Sequence, residues 1–418
     1  MSRGVCAKHS RPRAKRIVIA NSSWMQHMID PAARPTSEFI DSIRRRFPVE
    51  RQIDACLTHK MQLRPPRSKR VRSIAEITSS LQAFLRPRID GSFAIENVVA
   101  LAGGTSKEQF AFDLRYGSGQ RERMVIRIET PEAPQQTDRL REFQIIQALQ
   151  GKVPIPRPLW LDAEGSGFDL PALIYTWSPG VNRPSREGAV SGITSGFPDS
   201  YREVLALDFV DCLAAYTTAP VTAEMTAFEI PRAGSNEGAV NGVNWWSRVF
   251  EEDGLEPDPL MHAATRWLRD NAPVVDHISI LHGDYRPGNF LFSEETGKIT
   301  AVLDWEAARL GDRHEDLAYP MNDLFAVRDE RGRKLICGLL TEEDYLARYE
   351  ATSGLPVDRD RLRYYSIFNE FRACVFTHAS AARCMLGGTS HQDLLVGLGT
   401  LYAPISRTGL QRKLAEVM

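Results

Sequence analysis

The stretch 281–305, LHGDYRPGNFLFSEETGKITAVLDW, constrains the fold more than any other part of the chain. Three short apolar runs, none long enough for a helix, lie in it or overlap its start: Ile278–Leu281, Phe290–Phe292 and Ile299–Trp305. The polar segment Ser293–Lys298 supplies a turn, so the last two runs are expected to pair as a β-hairpin. That pairing brings Asn289 and Asp304 close together at one end of the hairpin.

The polar residues of this stretch suit a metal and a base. A carboxylate and an amide oxygen, such as those of Asp304 and Asn289, are hard ligands that suit Mg²⁺, which keeps its other positions for water and phosphate oxygens. Asp284, on the loop beside them, can accept a proton from an incoming hydroxyl. The alternative is an ordinary turn, since Asp, Pro-Gly and Asn are common turn formers.

Residues 93–178 predict a small antiparallel sheet with one helix. Four segments have strand patterns: Phe93–Leu101, Gln109–Leu114, Met124–Ile128 and Leu170–Tyr175. Thr137 is the predicted N-cap of a helix that runs through Gln150. Prolines between residues 154 and 158 force an extended crossing after that helix. After residue 180 the chain is predicted to be mainly helical, and a long helical pattern at 361–385 closes the fold.

The N-terminal segment is basic. Residues 1–90 hold 19 Lys and Arg against 7 Asp and Glu, a net charge of +12, so the other 328 residues carry −13. Residues 1–35 are predicted to be disordered, and 36–90 to be helical, with a capping box at Ser73–Glu76. Because no aromatic residues interleave the charges, we expect a segment that docks on the acidic body and no nucleic-acid partner. Residues 1–29 contain no acid, which is also a feature of mitochondrial transit peptides.

Composition excludes some classes of protein. Apolar residues make up 43% of the 418 residues and charged residues 25%, as in soluble globular proteins. No apolar run approaches the roughly 20 residues of a membrane span, so no membrane partner is expected. The six cysteines are scattered without metal-ligand spacing, which favours reduced thiols in a cytoplasmic protein.

The motif HGDYRPGN at 282–289, with Asp304 of VLDWE fifteen residues after Asn289, resembles the aminoglycoside phosphotransferase-like branch of the protein-kinase-like fold. That family includes kinases of antibiotics, choline and homoserine, and the resemblance covers roughly residues 93–320. It implies that Asp284 is the catalytic base and that Asn289 and Asp304 are Mg²⁺ ligands. His282 would then be structural, and the alternative is a zinc-ligand role together with His314.

The resemblance also implies where a nucleotide is held. The turn Gly103–Lys107 would cover the phosphates, with Gly104, Thr105, Ser106 and Lys107 as binding residues. Arg127 would grip the phosphates with Glu142 as its ion-pair partner, although Lys107 is a rival cation and the pair could be an ordinary surface contact. Three residues would form the hinge that meets the purine: Tyr175, Thr176 and Ser178.

The expected protein is therefore an α+β, bilobal, protein-kinase-like enzyme. Three parts are predicted: a basic N-terminal segment (1–92), a small antiparallel-sheet N-lobe (93–178) and a mainly helical C-lobe (179–418). The expected activity is Mg²⁺-dependent transfer of the terminal phosphoryl group of ATP or GTP to a small-molecule hydroxyl. Glu370 and Arg372 are candidates for the acceptor pocket. The competing hypothesis is a nucleotide-binding pseudokinase or regulatory module, and the oligomeric state is unknown.

Overall fold

The computed structural model describes residues 34–64, 72–101, 107–130, 133, 135, 137–185, 196–254, 256–386 and 396–418. The helices are α1 (Ser37–Arg46), α2 (Arg51–Gln62), α3 (Ile74–Leu85), α4 (Arg139–Ala148), α5 (Asp199–Thr217), α6 (Glu237–Asp253), α7 (Pro259–Asp270), α8 (His314–Ala318), α9 (Glu342–Ser353), α10 (Arg359–Cys374), α11 (Ala381–Leu386) and α12 (Ala403–Ala415). A π-helical segment, Val375–Ser380, joins α10 to α11.

The strands form one larger sheet and several two-stranded ribbons. They are β1 (Phe93–Ala100), β2 (Glu108–Tyr116), β3 (Arg121–Ile128), β4 (Pro158–Asp162), β5 (Ala172–Thr176), β6 (Ser279–Leu281), β7 (Phe290–Phe292), β8 (Ile299–Val302), β9 (Arg309–Gly311), β10 (Val327–Arg328) and β11 (Lys334–Leu335). The five-stranded sheet has the order β1-β2-β3-β5-β4, and its neighbouring strands are antiparallel.

Because side chains alternate along β3, the two faces of the sheet pack against two different apolar clusters. Met124 and Ile126 pack in the apolar cluster that includes α3, whereas Val125 belongs to the cluster that includes α4 and the helical lobe. Because successive side chains of a strand point to opposite faces, Arg127 shares the face of Val125. The charged end of Arg127 is therefore directed toward the helical lobe, where Asp304 lies.

Helix α4 begins one residue later than predicted. The N-cap is Asp138, whose carboxylate accepts hydrogen bonds from the backbone N–H groups of Leu140 at 2.7 Å and Arg141 at 3.3 Å. The prediction of Thr137 was wrong because the Thr137 hydroxyl instead accepts a hydrogen bond from Arg139 at 2.8 Å. Strand β4 was not predicted from the sequence. It begins at Pro158, the last of the prolines that follow this helix, and pairs with β5.

The N-terminal segment contacts both lobes. Helix α3 has the predicted capping box, in which the Ser73 N–H donates to Glu76 at 2.8 Å and the Glu76 N–H donates to Ser73 at 3.3 Å. Lys60 of α2 lies 2.8 Å from Asp253 of α6, and burial lowers the pKa of Lys60 to about 8 despite that carboxylate. Pro35, the last residue of the segment predicted to be disordered, is buried.

The helical lobe carries the predicted hairpin. Strands β7 and β8 pair in antiparallel register, with Phe290 opposite Val302. Strand β8 ends before the predicted limit, because Asp304 has left-handed backbone angles (φ 66°, ψ 50°) that end the extended segment and begin a short 3-10 turn. The architecture expected from the sequence, a small antiparallel-sheet lobe and a mainly helical lobe, is confirmed. Within the described ranges, no helix combines the length and apolar character of a membrane span.

Candidate active site

The loop between β6 and β7 holds Asp284 in a fixed backbone path. Gly283 has φ +79°, and a Cβ placed there would lie 2.7 Å from the carbonyl oxygen of Ala307. Glycine is therefore needed immediately before Asp284, since any other residue would combine a strained φ with a clash. The loop passes close to the turn that follows Asp304.

Asp284 is surrounded by hydrogen-bond donors. Its Oδ2 accepts from Asn289 Nδ2 at 2.7 Å, and its Oδ1 accepts from Arg286 Nε at 3.0 Å and from the Tyr319 hydroxyl at 2.5 Å. The side chain of Asp284 is 30% exposed, so a further molecule can reach the carboxylate. Its partners fix the carboxylate without enclosing it.

Asn289 and Asp304 lie side by side, as the hairpin predicted. The Leu303 N–H donates to the Asn289 carbonyl at 2.8 Å, which places Asp304 next to the start of β7. Because Asn289 Nδ2 donates to Asp284, the amide oxygen is the atom that remains for a metal. One carboxylate and one amide oxygen are among the ligands that Mg²⁺ prefers.

His282 has a structural role in the loop. Its Nε2 lies 2.8 Å from the Leu303 carbonyl, and its Nδ1 accepts the Asp284 N–H at 3.2 Å, so both ring nitrogens are engaged. Asp316 accepts from the N–H groups of His282 at 2.5 Å and Gly283 at 3.0 Å. His314, the other residue weighed for zinc, lies against Asp312 at 2.6 Å. In the part of the chain that the structure describes, no group of three or more His, Cys, Asp or Glu side chains could hold a metal ion.

Arg127, on β3 of the sheet lobe, contacts three carboxylates. Its Nη1 is 2.9 Å from Glu142, and its Nη2 is 2.6 Å from Asp304 and 3.2 Å from Glu306. Arg127 is 4% exposed and Glu142 1%, so the predicted pair is buried and is not an ordinary surface contact. Burial alone would lower the pKa of Arg127, but the charges of Asp304 and Glu142 outweigh burial and hold that pKa well above its ordinary value.

Three charged residues of this network were not predicted from the sequence: Glu129, Arg139 and Glu306. Lys107 lies 2.5 Å from Glu129 and 3.7 Å from Glu306, and Arg139 lies 2.7 Å from Glu129. The only signals were the position of Arg139 three residues before Glu142 and of Glu306 two residues after Asp304. Gly104, Thr105 and Ser106 lie outside the described residues.

Two neighbouring acids of the network differ in their tendency to ionise. Burial would raise the pKa of Asp304, but the charge and hydrogen bond of Arg127 outweigh burial and lower it. Burial and the adjacent charge of Asp304 raise the pKa of Glu306. The pKa values of these two adjacent carboxyl groups are therefore shifted in opposite directions.

The segment between the lobes is anchored by backbone pairing. Tyr175 is buried, which raises its pKa to about 12, and the Thr176 N–H donates to the Arg157 carbonyl at 3.0 Å. Trp177 is 38% exposed, and its ring lies 5.1 Å from the Arg123 guanidinium. Ser178 follows and is half-buried.

The two residues suggested for the acceptor pocket serve other contacts. Arg372 donates a hydrogen bond to the Gly283 carbonyl and lies 3.3 Å from Glu315. Glu370 lies 2.8 Å from Lys413 and is 2% exposed. Arg372 therefore supports the loop of Asp284 through the Gly283 backbone, and Glu370 joins α10 to α12.

This combination of a bilobal fold, a buried cation at β3 and a polar hairpin defines a kinase-like phosphotransferase. The model of the phosphotransferase enzyme family (APH) matches residues 97–365, and the chain belongs to that family.

Several known proteins are similar to the chain. It is 28% identical over 263 residues to acyl-CoA dehydrogenase family member 10 of Mus musculus, covering 60% of this chain and 23% of that protein. It is 23% identical over 353 residues to acyl-CoA dehydrogenase family member 11 of Pongo abelii, covering 80% and 43%. The chain thus spans less than half the length of these relatives. It is also 29% identical over 126 residues to an aminoglycoside 3'-phosphotransferase of Streptomyces ribosidificus, covering 29% and 45%.

Solved structures share the fold. A protein of Ralstonia eutropha, provisionally named an aminoglycoside phosphotransferase, has a TM-score of 0.58 at 23% identity, covering 81% of this chain and 98% of that one. The GDP and kanamycin complex of an APH(2") enzyme has a TM-score of 0.50 at 19% identity, covering 82% and 99%. These likenesses agree with the protein-kinase-like fold that the motif predicted.

Proposed function

We propose that the protein transfers the terminal phosphoryl group of ATP or GTP to a hydroxyl group of a small molecule, with Mg²⁺ as cofactor. The observation that carries the proposal is the convergence of Asp284, Asn289 and Asp304 at one end of the β7–β8 hairpin, with Arg127 2.6 Å from Asp304. The five described cysteines are free, which supports a reducing, cytoplasmic location.

Each residue has a distinct role in this proposal. Asp284 accepts the proton of the acceptor hydroxyl as its oxygen attacks the terminal phosphorus. Asn289 and Asp304 hold Mg²⁺, which when bound neutralises charge on the phosphate oxygens. Arg127, oriented by Glu142, binds the phosphates through its planar fork. Phosphoryl transfer depends mainly on such positioning and charge neutralisation.

The acceptor is proposed to be a small hydroxylated molecule, as for the family. Two classes follow from the relatives: antibiotics, from the aminoglycoside 3'-phosphotransferase, and hydroxylated acyl thioesters, from the proteins named for acyl-CoA dehydrogenases. Release of ADP or GDP should therefore be measured with Mg·ATP and Mg·GTP against aminoglycosides, macrolides, choline, homoserine and hydroxyacyl thioesters. The mass of the product must increase by one phosphoryl group.

Two variants test the proposed roles separately. Asp284→Asn should retain nucleotide affinity and lose roughly 10²–10⁴-fold in kcat, because it removes the proton acceptor. Asp304→Ala should abolish the stabilisation of the protein by Mg·ATP in thermal denaturation. Asp360→Asn, at a side chain that is 90% exposed on α10, is the matched control.

A pseudokinase would give a different pattern. It would bind nucleotide and show no transfer to any acceptor, and Asp284→Asn would leave every measured property unchanged. Wild-type stabilisation of Asp304→Ala by Mg·ATP would instead show that the metal lies elsewhere.

A further inference from the structure

Tyr319 lies directly against the proposed base. It follows helix α8, and its hydroxyl donates to Asp284 Oδ1 at 2.5 Å. The ring is held in place by the Arg372 guanidinium, 4.5 Å away, and by the ring of Phe325, 5.4 Å away. The Tyr319 hydroxyl thus donates to the Asp284 carboxylate, as the hydroxyl of a reacting molecule would also have to do.

A count of acceptor positions shows what this contact does. An ionised carboxylate offers about four lone-pair positions, two on each oxygen. Tyr319 and Arg286 donate to Oδ1, and Asn289 donates to Oδ2. These contacts fill three positions and leave one on Oδ2 for the acceptor hydroxyl.

We propose that Tyr319 is a positioning residue that occupies Oδ1 of Asp284 and keeps water from it, while Oδ2 stays available to the acceptor. This inference rests on the proposed function. Without the tyrosine hydroxyl, a water molecule could donate to Oδ1, since the side chain of Asp284 is 30% exposed. The water oxygen would then bond to the terminal phosphorus, the bond from that phosphorus to the leaving oxygen of ADP would break, and the water proton would pass to Asp284. Tyr319 therefore suppresses the share of nucleotide hydrolysis that would use water activated at Oδ1.

Tyr319→Phe separates this role from simple packing. Phenylalanine keeps the ring between Arg372 and Phe325 and removes only the hydroxyl. The matched control is Tyr364→Phe on α10, which also removes a buried tyrosine hydroxyl, one that donates to the Leu268 carbonyl at 2.8 Å. The Leu268 contact joins α10 to α7 and does not involve the loop of Asp284.

The experiment measures release of ADP from Mg·ATP without any acceptor, together with the affinity for Mg·ATP. Tyr319→Phe should raise acceptor-independent ADP release on the order of 10-fold while the affinity stays unchanged, since general-base catalysis of this type contributes 10²–10⁴-fold. Tyr364→Phe should behave as the wild type. Adding Asp284→Asn to Tyr319→Phe should return ADP release to the wild-type level or below.

Three outcomes would overturn the inference. Unchanged ADP release in Tyr319→Phe would show that the hydroxyl does not exclude water. A parallel loss of ADP release and of transfer to an acceptor would show that Tyr319 only braces the loop. An increase in the intact mass of the wild-type protein by one phosphoryl group on Tyr319 would show that the tyrosine is itself an acceptor.

Failure of the proposed function is recognised separately. In that case Asp284→Asn would have no effect on turnover. If Asp284→Asn abolishes turnover and Tyr319→Phe leaves hydrolysis unchanged, only the role of Tyr319 is refuted.

Discussion

Arg127 shows how one guanidinium can contact several carboxylates at once. Its planar fork reaches Glu142 through one nitrogen and Asp304 and Glu306 through another. A lysine ammonium is a compact charge and could not match this geometry. Breaking a buried pair is costly because the remaining partner keeps an uncompensated charge. Arg127 and Lys107 nevertheless share a support, since Arg139 contacts both Glu142 and Glu129.

This shared support allows the two cations to be compared directly. Glu142 keeps Arg139 in Arg127→Met, and Glu129 keeps Arg139 in Lys107→Met, although Arg127→Met also removes the contact with Asp304. Arg127→Met should weaken Mg·ATP binding roughly tenfold to a hundredfold, as expected for loss of one charge-assisted hydrogen bond. Lys107→Met should weaken it less. Calorimetric titration of Mg·ATP gives both affinities, and thermal unfolding checks that each variant is folded. A larger effect of Lys107→Met would assign the phosphate contact to that residue.

The residues of the site differ in how far the sequence could predict them. Asp284, Asn289 and Asp304 lie within 21 residues on a short hairpin, so local pairing was enough to bring them together. Glu129 and Glu306 could not be predicted in the same way, because their contacts join distant segments and depend on how the lobes pack. The left-handed backbone of Asp304 is a further example, since nothing at that position favours φ > 0 more than at other aspartates.

At the scale of elements, helix α2 links the sheet lobe to the helical lobe. Glu50, immediately before α2, lies 2.8 Å from Arg141 of α4, and Asp54 of α2 accepts a hydrogen bond from Arg248 of α6. Helix α4 also carries Glu142, the partner of Arg127. The N-terminal segment therefore fixes the helix that orients the proposed phosphate-binding residue.

A substitution at Glu50 tests this link. Glu50→Gln should lower the free energy of unfolding by about 3 kcal/mol, because Arg141 would keep a buried charge without its carboxylate. The Glu229 N–H also donates to Glu50, at 3.1 Å, so part of the contact survives in the glutamine variant. Urea denaturation followed by tryptophan fluorescence measures the change. Glu96→Gln is the control, since Glu96 pairs with the exposed Arg115 and Arg121 and its loss should leave the midpoint close to the wild type. Equal midpoints for the two variants would contradict the proposed link between Glu50 and helix α4.

The secondary-structure elements were more predictable than the way in which they pack against one another. Strands β1, β2, β3 and β5 follow from local sequence patterns, and the capping box follows from Ser73 three residues before Glu76. The docking of α2 between the lobes could not be read in this way, because it depends on pairs such as Lys60 with Asp253, nearly 200 residues apart. Helical periodicity predicts which face is apolar but not which surface covers it.

At the scale of the whole molecule, part of the positive charge of the N-terminal segment is paired with acids of the rest of the chain. Several cations of the basic segment pair with acids of the body: Arg46 with Glu251, Lys60 and Arg64 with Asp253, and Arg72 with Glu108. These ion pairs neutralise positive charge that could otherwise attract nucleic acid. They support the prediction that the described part of this segment docks on the body of the protein.

Two truncations provide the test. Described contacts begin at Arg34, whose Nε donates to the Arg64 carbonyl at 2.9 Å, so deletion of residues 1–33 should leave the unfolding temperature and phosphoryl transfer nearly unchanged. Deletion of residues 1–90 should expose the buried partners of Ile53, Leu57, Ile77 and Leu81 and leave Asp253 without Lys60 and Arg64. That variant should lose solubility or unfold at a much lower temperature.

The competing view, in which the basic residues bind nucleic acid, predicts a different result. Filter binding of DNA and RNA at low and at physiological salt would then show tight binding at low salt that weakens steeply as salt rises, because each neutralised phosphate releases counterions. Such binding, if it disappeared on deletion of residues 1–33, would refute the prediction for the N-terminal segment. We expect weak binding at both salt concentrations and no difference between the full chain and the shorter truncation, because the aromatic residues that stack on single-stranded bases do not interleave these charges.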